Sequence, residues 1–330
     1  MSEKTTLMKQ VKALFFALTV CLVLAPHASA QEDADKHFII GGQPIEKNEY
    51  PWTVALTYNI DADLFQRQFC GASVIADTWV MTAAHCLYDK RGELLMAADF
   101  KVAVNADRLS DPDVNELLVT NVFVHPEYDH TANNPHSDIA LIELATASGI
   151  TPVKLSTKPS DLLIGLQATV IGWGAVDNSD PANPSYPDWA HEVDVPVVSM
   201  DICNAPASYA NAIFPNQLCA GFAEGGRDSC VGDSGGPLIV TYEGVVQQIG
   251  IVSFGYGCAL PDFYGIYSDV PYFIGWINQY VNVGVPEFEP ELIAPRTSNA
   301  FTASTNDTAG ASSLFGILML GFCLLLRRRS

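Results

Sequence analysis

A serine in a glycine-rich stretch is the side chain of this 330-residue sequence best placed for covalent chemistry. Ser234 is preceded by Gly232 and Asp233 and followed by two further glycines. Glycines let the backbone approach a reacting carbonyl closely, and the N–H groups of Gly232 and Ser234 could both point at a developing oxyanion. A serine alone is a weak nucleophile, so it needs a base and an acid that orients the base. Without these partners the stretch is an ordinary glycine-rich turn.

Two other segments contain the groups that such a serine needs. His85 follows an apolar run that we predict as a strand, and the next residue, Cys86, can tether it. Asp138 stands at the start of another apolar run. Taken singly, His85 could be structural and Asp138 could be a cap or turn residue. Together with Ser234 they supply a general base, an orienting acid and a nucleophile.

Short apolar and β-branched runs fill the chain from residue 39 to about residue 270, and turn residues separate them. This spacing is typical of an all-β protein. The runs fall into two groups, so we predict two β-barrels, 39–150 and 151–270, followed by a helix over 271–282 that begins near Pro271. The predicted strands are 53–57, 72–75, 79–82, 101–104, 117–124, 139–144, 168–171, 237–241, 245–252 and 265–269.

Six motifs in one order resemble those of the trypsin-like serine peptidases, a family with the chymotrypsin fold. The motifs occupy residues 39–42, 82–86, 138–141, 172–174, 232–237 and 252–255, and the resemblance covers residues 39 to about 282. The resemblance implies an all-β protein made of two six-stranded Greek-key antiparallel β-barrels. It also implies an active site between the barrels and a C-terminal helix.

The resemblance assigns roles to the three side chains. Ser234 is expected to be the nucleophile and His85 the general base and then the general acid, while Asp138 holds the histidine in its working tautomer. Gly232 and Ser234 are expected to form the oxyanion hole. The implied function is a serine endopeptidase made as a zymogen. The alternative is an inactive binding protein on the same fold, which the presence of all three side chains disfavours.

The same resemblance predicts the substrate. Asp228 matches the acid at the base of the trypsin specificity pocket, and Gly255 and Gly265 match two small residues of its walls. We therefore expect cleavage of proteins or peptides after an exposed Arg or Lys, because a substrate cation relieves the cost of a buried carboxylate. Ser253, Phe254 and Gly255 are expected to pair with an extended substrate, although Phe254 replaces the tryptophan usual in trypsins.

The eight cysteines divide into two groups. Cys21 and Cys323 lie in apolar runs near the two ends of the chain, which leaves an even number in the body. An even number in an exported protein suggests disulfides, and no paired C-x-x-C pattern favours a zinc site. The resemblance implies the pairs Cys70–Cys86, Cys203–Cys219 and Cys230–Cys258.

The first 38 residues are predicted to be targeting and activation segments. Residues 1–30 contain lysines, an apolar run and an Ala-x-Ala site, which is typical of a secretory signal peptide. Residues 31–38 are predicted to be an activation propeptide. Cleavage between Phe38 and Ile39 would free an ammonium group for which Asp233 could be the partner. Since the family is usually cut after Arg or Lys, Phe38 predicts a separate activating protease that accepts aromatic residues.

The composition changes twice after the predicted helix. Residues 283–313 are rich in Pro, Glu, Thr, Ser and Asn and are predicted to be a linker. Residues 314–330 combine an apolar segment with an arginine cluster, and this tail resembles bacterial sorting signals of the GlyGly-CTERM kind. We expect a secreted or cell-surface bacterial protein whose tail is either processed or kept as a membrane anchor.

Charge and composition narrow the possible partners. The formal net charge of -20 argues against a nucleic-acid partner, because binding a phosphate backbone needs Lys and Arg. The charge suits a basic substrate, although it could merely confer solubility. His125, Asp129, His130 and His136 fit no strong metal-ligand spacing, and the sequence has no clear acidic loop of the calcium-binding kind, so we predict no metal, no calcium site and no cofactor. We expect a monomer that meets a membrane only through its tail.

Overall fold

Two antiparallel β-barrels make up the computed structural model, which describes residues 40–132, 135–177 and 183–283. The first barrel is closed by six strands paired in the order β2-β3-β4-β7-β6-β5. These strands are β2 (Thr53–Tyr58), β3 (Gln68–Ala76), β4 (Trp79–Thr82), β5 (Phe100–Val104), β6 (Asn115–Val124) and β7 (Ala140–Leu144). A short helix, α1 (Leu64–Arg67), lies between β2 and β3.

The second barrel also has six strands, paired in the order β9-β10-β11-β14-β13-β12, and the pairing of β12 with β9 closes it. These strands are β9 (Gln167–Gly172), β10 (His191–Val198), β11 (Gln217–Ala220), β12 (Pro237–Tyr242), β13 (Val245–Phe254) and β14 (Gly265–Asp269). Two short strands flank it: β1 (Gln43–Pro44) pairs with β10, and β8 (Lys154–Leu155) runs parallel to β13. The predicted architecture of two six-stranded barrels is confirmed.

Alternation of apolar and polar residues gives each barrel its own core. In β10, Val193, Val195 and Val197 are buried in the core of the second barrel, while Asp194 between them is exposed. Successive side chains of a strand point to opposite faces, so this period of two places the valines inside. We did not predict β10, which contains Pro196, a residue without a backbone donor.

Two helices follow strands of the second barrel: α2 (Met200–Cys203) and α3 (Val270–Ile277). Helix α3 confirms the predicted C-terminal helix but ends at Ile277 rather than near residue 282. Beyond it, the N–H groups of Gln279 and Tyr280 bond to carbonyls three residues back, which tightens the chain into turns. The apolar residues of helix α3, including Phe273, pack against the core of the first barrel.

The turn that contains Ser234 is hydrogen-bonded to strands of both barrels. Gly71 of β3 donates its N–H to the carbonyl of Ser234 at 2.8 Å, and Gly235 donates to the carbonyl of Val252 in β13 at the same distance. The serine turn is therefore bonded to both barrels. Within the part of the chain that the structure describes, we find no helix with the length and apolarity to span a bilayer. The predicted signal peptide, propeptide, linker and tail lie outside the described residues.

Candidate active site

His85 lies in a 3-10 turn, Ala84–Leu87, that begins just after β4. Its Nδ1 lies 2.8 Å from Asp138 Oδ2, and its backbone N–H donates to Asp138 Oδ1 at 2.8 Å. Two bonds from one residue fix both oxygens of the carboxylate. A disulfide between Cys86 and Cys70 of β3 holds this turn against the barrel. The structure thus brings together the predicted base and its orienting acid.

Burial and charge act in opposite directions on this pair. Burial alone lowers the pKa of His85, but the charge of Asp138 and the hydrogen bond to it outweigh burial, so the pKa is raised above its usual value. Burial likewise raises the pKa of Asp138, but the charge of His85 and hydrogen bonds from His85 and Ser253 lower it below its usual value. The arrangement therefore stabilises an imidazolium next to a carboxylate, which is what a base that has accepted a proton requires.

Asp138 has two further partners that the sequence analysis missed. Ser253 donates its hydroxyl to Asp138 Oδ2 at 2.5 Å, and Ser268 donates its hydroxyl to the Asp138 carbonyl at 2.6 Å. Ser253 was predicted only as part of the substrate-pairing edge. No local pattern in the sequence could have shown these contacts, because both serines come from strands of the second barrel, more than a hundred residues along the chain.

Ser234 occupies a sharp turn that requires its neighbouring glycines. Gly235 has a φ of 78°, and a Cβ there would lie 2.1 Å from the Thr82 hydroxyl oxygen. Any larger residue would push the turn away from the first barrel. Within the described residues no hydrogen bond joins Ser234 Oγ to His85. Such bonds are often long in the absence of substrate and shorten when it binds.

The backbone of the turn leaves two donors unused. In the described part of the chain, no protein group accepts a hydrogen bond from the N–H of Gly232 or Ser234, whereas the intervening Asp233 donates to Cys230. Gly232 has a φ of 104°, and a Cβ there would be 3.0 Å from Gly174 Cα. Two free neighbouring donors on a glycine turn are what an oxyanion hole needs.

Asp228 is buried below the serine turn, with 5% of its surface exposed. Its Oδ2 accepts from the Ala259 N–H at 3.0 Å, and its Oδ1 lies 3.4 Å from the Ser229 hydroxyl. No Lys or Arg pairs with it within the described residues. Burial raises the pKa of Asp228 to about 7, because the charged form loses its hydration. The site therefore presents a carboxyl group that a cation would ionise and stabilise.

Of the two predicted wall residues, Gly265 begins β14 and Gly255 directly follows the end of β13. A Cβ on Gly265 would come within 2.8 Å of Asp228 Oδ1, so a larger residue there would displace the carboxyl group. A Cβ on Gly255 would meet nothing closer than the Gly257 carbonyl oxygen at 3.4 Å, so that position is open. Phe254 is half-buried at the end of β13, and its ring meets that of Tyr209 edge-on at 6.4 Å.

Asp233 points away from the serine and into the protein, where it is fully buried. It accepts hydrogen bonds from the N–H groups of Gly174 at 2.7 Å and Cys230 at 2.8 Å. Burial raises the pKa of Asp233 to about 6. Phe38 and Ile39, the predicted activation residues, lie outside the described residues.

The described residues contain three disulfides, and they are the pairs implied by the resemblance: Cys70–Cys86, Cys203–Cys219 and Cys230–Cys258. The third links the serine loop to the loop after β13. One group of three metal-capable side chains occurs in the described residues, His85 with Cys70 and Cys86. Both sulfurs are bonded to each other there, so neither is a free thiolate ligand.

Among the described residues, the four residues considered for a metal do not form a group whose ligand atoms could meet at one ion. His125 packs against the rings of Phe273 and Trp276, and His130 stacks on Tyr88 at 4.6 Å. The His136 ring packs against Phe214 at 4.8 Å. Each imidazole among these three therefore has an aromatic packing partner.

Comparisons with known proteins agree with this geometry. The family model described as Trypsin matches residues 39–277. The chain is 36% identical over 272 residues to Serine protease 1 of Rattus norvegicus, covering 80% of this chain and 97% of the rat protein. It is 33% identical over 266 residues to Tryptase of Mus musculus, covering 77% of this chain and 93% of the mouse protein.

A third relative is longer than the matching region. The chain is 34% identical over 247 residues to Transmembrane protease serine 5 of Homo sapiens. The match covers 73% of this chain but only 51% of the human protein, so the chain spans about half the length of that relative.

Proposed function

This chain belongs to the trypsin family of serine peptidases, and from that premise we propose that it is an exported endopeptidase that cleaves after Arg or Lys. The observation that carries the preference is the buried carboxyl group of Asp228, which has no cationic partner among the described residues. A guanidinium or ammonium group of the substrate supplies the missing charge. An apolar side chain in the same place would leave the carboxylate unpaired.

The proposed reaction uses the three side chains in turn. Ser234 Oγ attacks the carbonyl carbon of the scissile peptide bond, and its proton passes to His85. The oxyanion so formed is stabilised by the N–H groups of Gly232 and Ser234. His85 then gives its proton to the leaving amine as the C–N bond breaks, which leaves an acyl group on Ser234. Water attacks the acyl carbon with His85 again as base, and this releases the acid and restores the serine.

Asp138 stabilises each intermediate in which His85 carries a charge. Its carboxylate stays ionised because hydrogen bonds from His85 and Ser253 and the imidazolium charge lower its pKa. The direct test of the function is hydrolysis of paired arginine and phenylalanine esters by matured protein. Faster hydrolysis of the arginine ester supports the proposal, whereas no hydrolysis of either ester would favour an inactive binding protein.

The binding of a cation to the pocket is expected to weaken as the pH falls through 7. The pKa of the unliganded Asp228 is raised to about 7, so the carboxyl group is mostly ionised at pH 8 and mostly protonated at pH 6. A small arylamidine stays cationic over this range, and we expect it to bind about tenfold more weakly at pH 6 than at pH 8. Calorimetric titration of the matured protein at both pH values measures this difference.

Two controls isolate Asp228 from the other groups that titrate nearby. A neutral aryl amide of the same shape should bind with little pH dependence, and Asp228→Asn should bind the amidine weakly at both pH values. An amidine affinity that is constant from pH 6 to pH 8 in the unaltered protein would contradict the role given to Asp228.

Activation by cleavage after Phe38 is supported by the position of the neighbouring chain. The carbonyl of Ile40, the first described residue, accepts a hydrogen bond from the Asp228 N–H at 3.2 Å. The chain after the cleavage point therefore runs beside the serine loop. Asp233 is buried there with two neutral backbone donors, and an ammonium group at Ile39 would give it a charged partner.

Mature active protein is accordingly expected to begin at Ile39. Treatment of the precursor with a protease that cuts after aromatic residues should produce activity, while a protease restricted to Arg and Lys should not. N-terminal sequencing and intact mass of the product identify both ends, including whether the residue 314–330 tail remains. An active product that begins at any other residue contradicts the mechanism, and Asp233→Asn cleaved at the same bond should stay inactive.

A further inference from the structure

The segment that carries Asp138 is bonded to the second barrel by side chains that the mechanism does not use. Asn216 donates its Nδ2 amide to the Ser137 hydroxyl at 2.9 Å, in a buried contact. The next residue, Gln217, donates its side-chain amide to the Pro135 carbonyl at 2.9 Å. We propose that Asn216 and Ser137 are positioning residues for Asp138, through which the second barrel orients an acid that belongs to the first.

The backbone at Ser137 shows why this contact matters. Ser137 has a φ of 54°, in the left-handed region that non-glycine residues rarely adopt, and its side chain is buried. Its carbonyl accepts the N–H of Ile139 at 2.9 Å, which makes a tight turn around Asp138. A strained backbone persists only where surrounding contacts hold it. Here the strained residue directly precedes the acid, so its conformation sets the direction of the Asp138 side chain.

The contacts of Asn216 identify it as the residue that holds this turn. Its backbone carbonyl accepts from the Asp269 N–H at 3.1 Å, which anchors it at the start of β11. Its Oδ1 is buried with no partner among the described residues, so the bond to Ser137 is the only hydrogen bond of its side chain there. The amide is therefore oriented toward one hydroxyl group.

Two titratable groups also face the Ser137 hydroxyl. Glu127 Oε2 accepts from it at 3.4 Å, and His136 Nδ1 lies 3.1 Å from it. The Ser137 hydroxyl has one proton to donate, and it can donate that proton to one of these two groups. The bond with Asn216 does not use this proton, because there the Asn216 amide is the donor and the hydroxyl oxygen accepts. Changing Asn216 leaves both titratable groups in place, so it is the better position for a test.

Asn216→Leu keeps a similar volume but removes the donor. This expectation rests on the proposed peptidase function. We expect kcat for an arginine ester to fall about tenfold while KM changes little. A loss of about tenfold is a small part of the rate acceleration that general acid–base catalysis usually contributes. We also expect a lower pKa for His85, because a less well-aligned Asp138 stabilises the imidazolium less. The acidic limb of the pH profile of kcat/KM and an NMR titration of His85 both report this change.

The matched control is Asn204→Leu. Asn204 exchanges two hydrogen bonds with the backbone of Ile213 in the second barrel, so the variant removes comparable bonds away from Asp138. Thermal unfolding of both variants separates lost stability from lost alignment. Equal catalytic and titration changes in the two variants would overturn the proposal, as would an unchanged His85 titration in Asn216→Leu.

A second variant covers the case in which Asn216→Leu does not fold. Ser137→Ala removes the hydroxyl acceptor and should reproduce the fall in kcat and the lower pKa of His85. Where both variants fold, the double variant should lose no more than Ser137→Ala alone, since Ser137→Ala already removes the contact with Asn216. Additive losses would overturn the proposal. The NMR titration needs no turnover, so it remains informative even if the unaltered protein proves not to cleave after Arg.

Discussion

Ser234→Ala is expected to reduce kcat for an arginine ester by about 10⁴- to 10⁶-fold. In the proposed mechanism the change removes the atom that forms the acyl intermediate, and the remaining rate then comes from the oxyanion donors and substrate binding. The N–H groups of Gly232 and residue 234 are kept, because alanine preserves the backbone. Burst and steady-state kinetics on matured protein measure the loss.

The control for this variant is substrate binding. The variant keeps the carboxyl group of Asp228, so the affinity for an arylamidine should be unchanged. Retained binding with lost turnover separates removal of the nucleophile from misfolding. Retained turnover would mean that another group performs the attack, and the assignment of Ser234 as nucleophile would be wrong.

The glycines of the serine turn could be interpreted from the turn alone, whereas the roles of its residues came from the resemblance of six motifs to one family. Gly235 is required by its own φ of 78°, which is a local constraint, and also by the close approach of Thr82 from β4 of the first barrel, which is not local. His85 is likewise placed by a strand end and a cysteine next to it. Where residue type is dictated by the backbone of its own turn, the sequence contains enough information.

Contacts between distant residues could not be predicted in the same way. Ser253 and Asn216 reach the segment of Asp138 only when the two barrels have docked. Helix α1 is a second example: Arg67 is buried because Glu116, forty-nine residues away, forms two hydrogen bonds to its guanidinium. A short polar stretch gives no periodicity from which such a partner could be inferred.

Asp228 and Asp233, the two buried acids of the serine loop, both lack a cationic partner among the described residues. Asp228 and Asp233 both have a pKa raised by burial, and each is bonded to neutral backbone donors. In our proposal the substrate supplies the cation for Asp228, and the new amino terminus supplies it for Asp233. Substrate preference and activation would then rest on the same cost, that of a buried carboxylate without a partner.

Asp228→Ser is expected to lower kcat/KM for an arginine ester by about 10⁴-fold, or about 5.5 kcal/mol of transition-state stabilisation. The serine hydroxyl cannot neutralise a guanidinium, so the cation would be buried without a partner. Hydrolysis of a phenylalanine ester should change little. Glu224→Ser, an exposed acid nearby with the same change in charge, is the matched control and should leave the arginine rate unchanged.

Stability gives this variant an independent readout. The pKa of Asp228 is raised from 3.8 to about 7, so between these values the folded protein binds more protons than the unfolded chain. The Asp228 contribution to the free energy of unfolding therefore falls as the pH rises from about 4 to 7. Asp228→Ser should lose this decline and be at least as stable as the unaltered protein at pH 8. If Asp228→Ser hydrolyses the arginine ester slowly but is as stable as the unaltered protein, misfolding is excluded as the cause. Retained cleavage after Arg would refute the assignment of Asp228 to the specificity pocket.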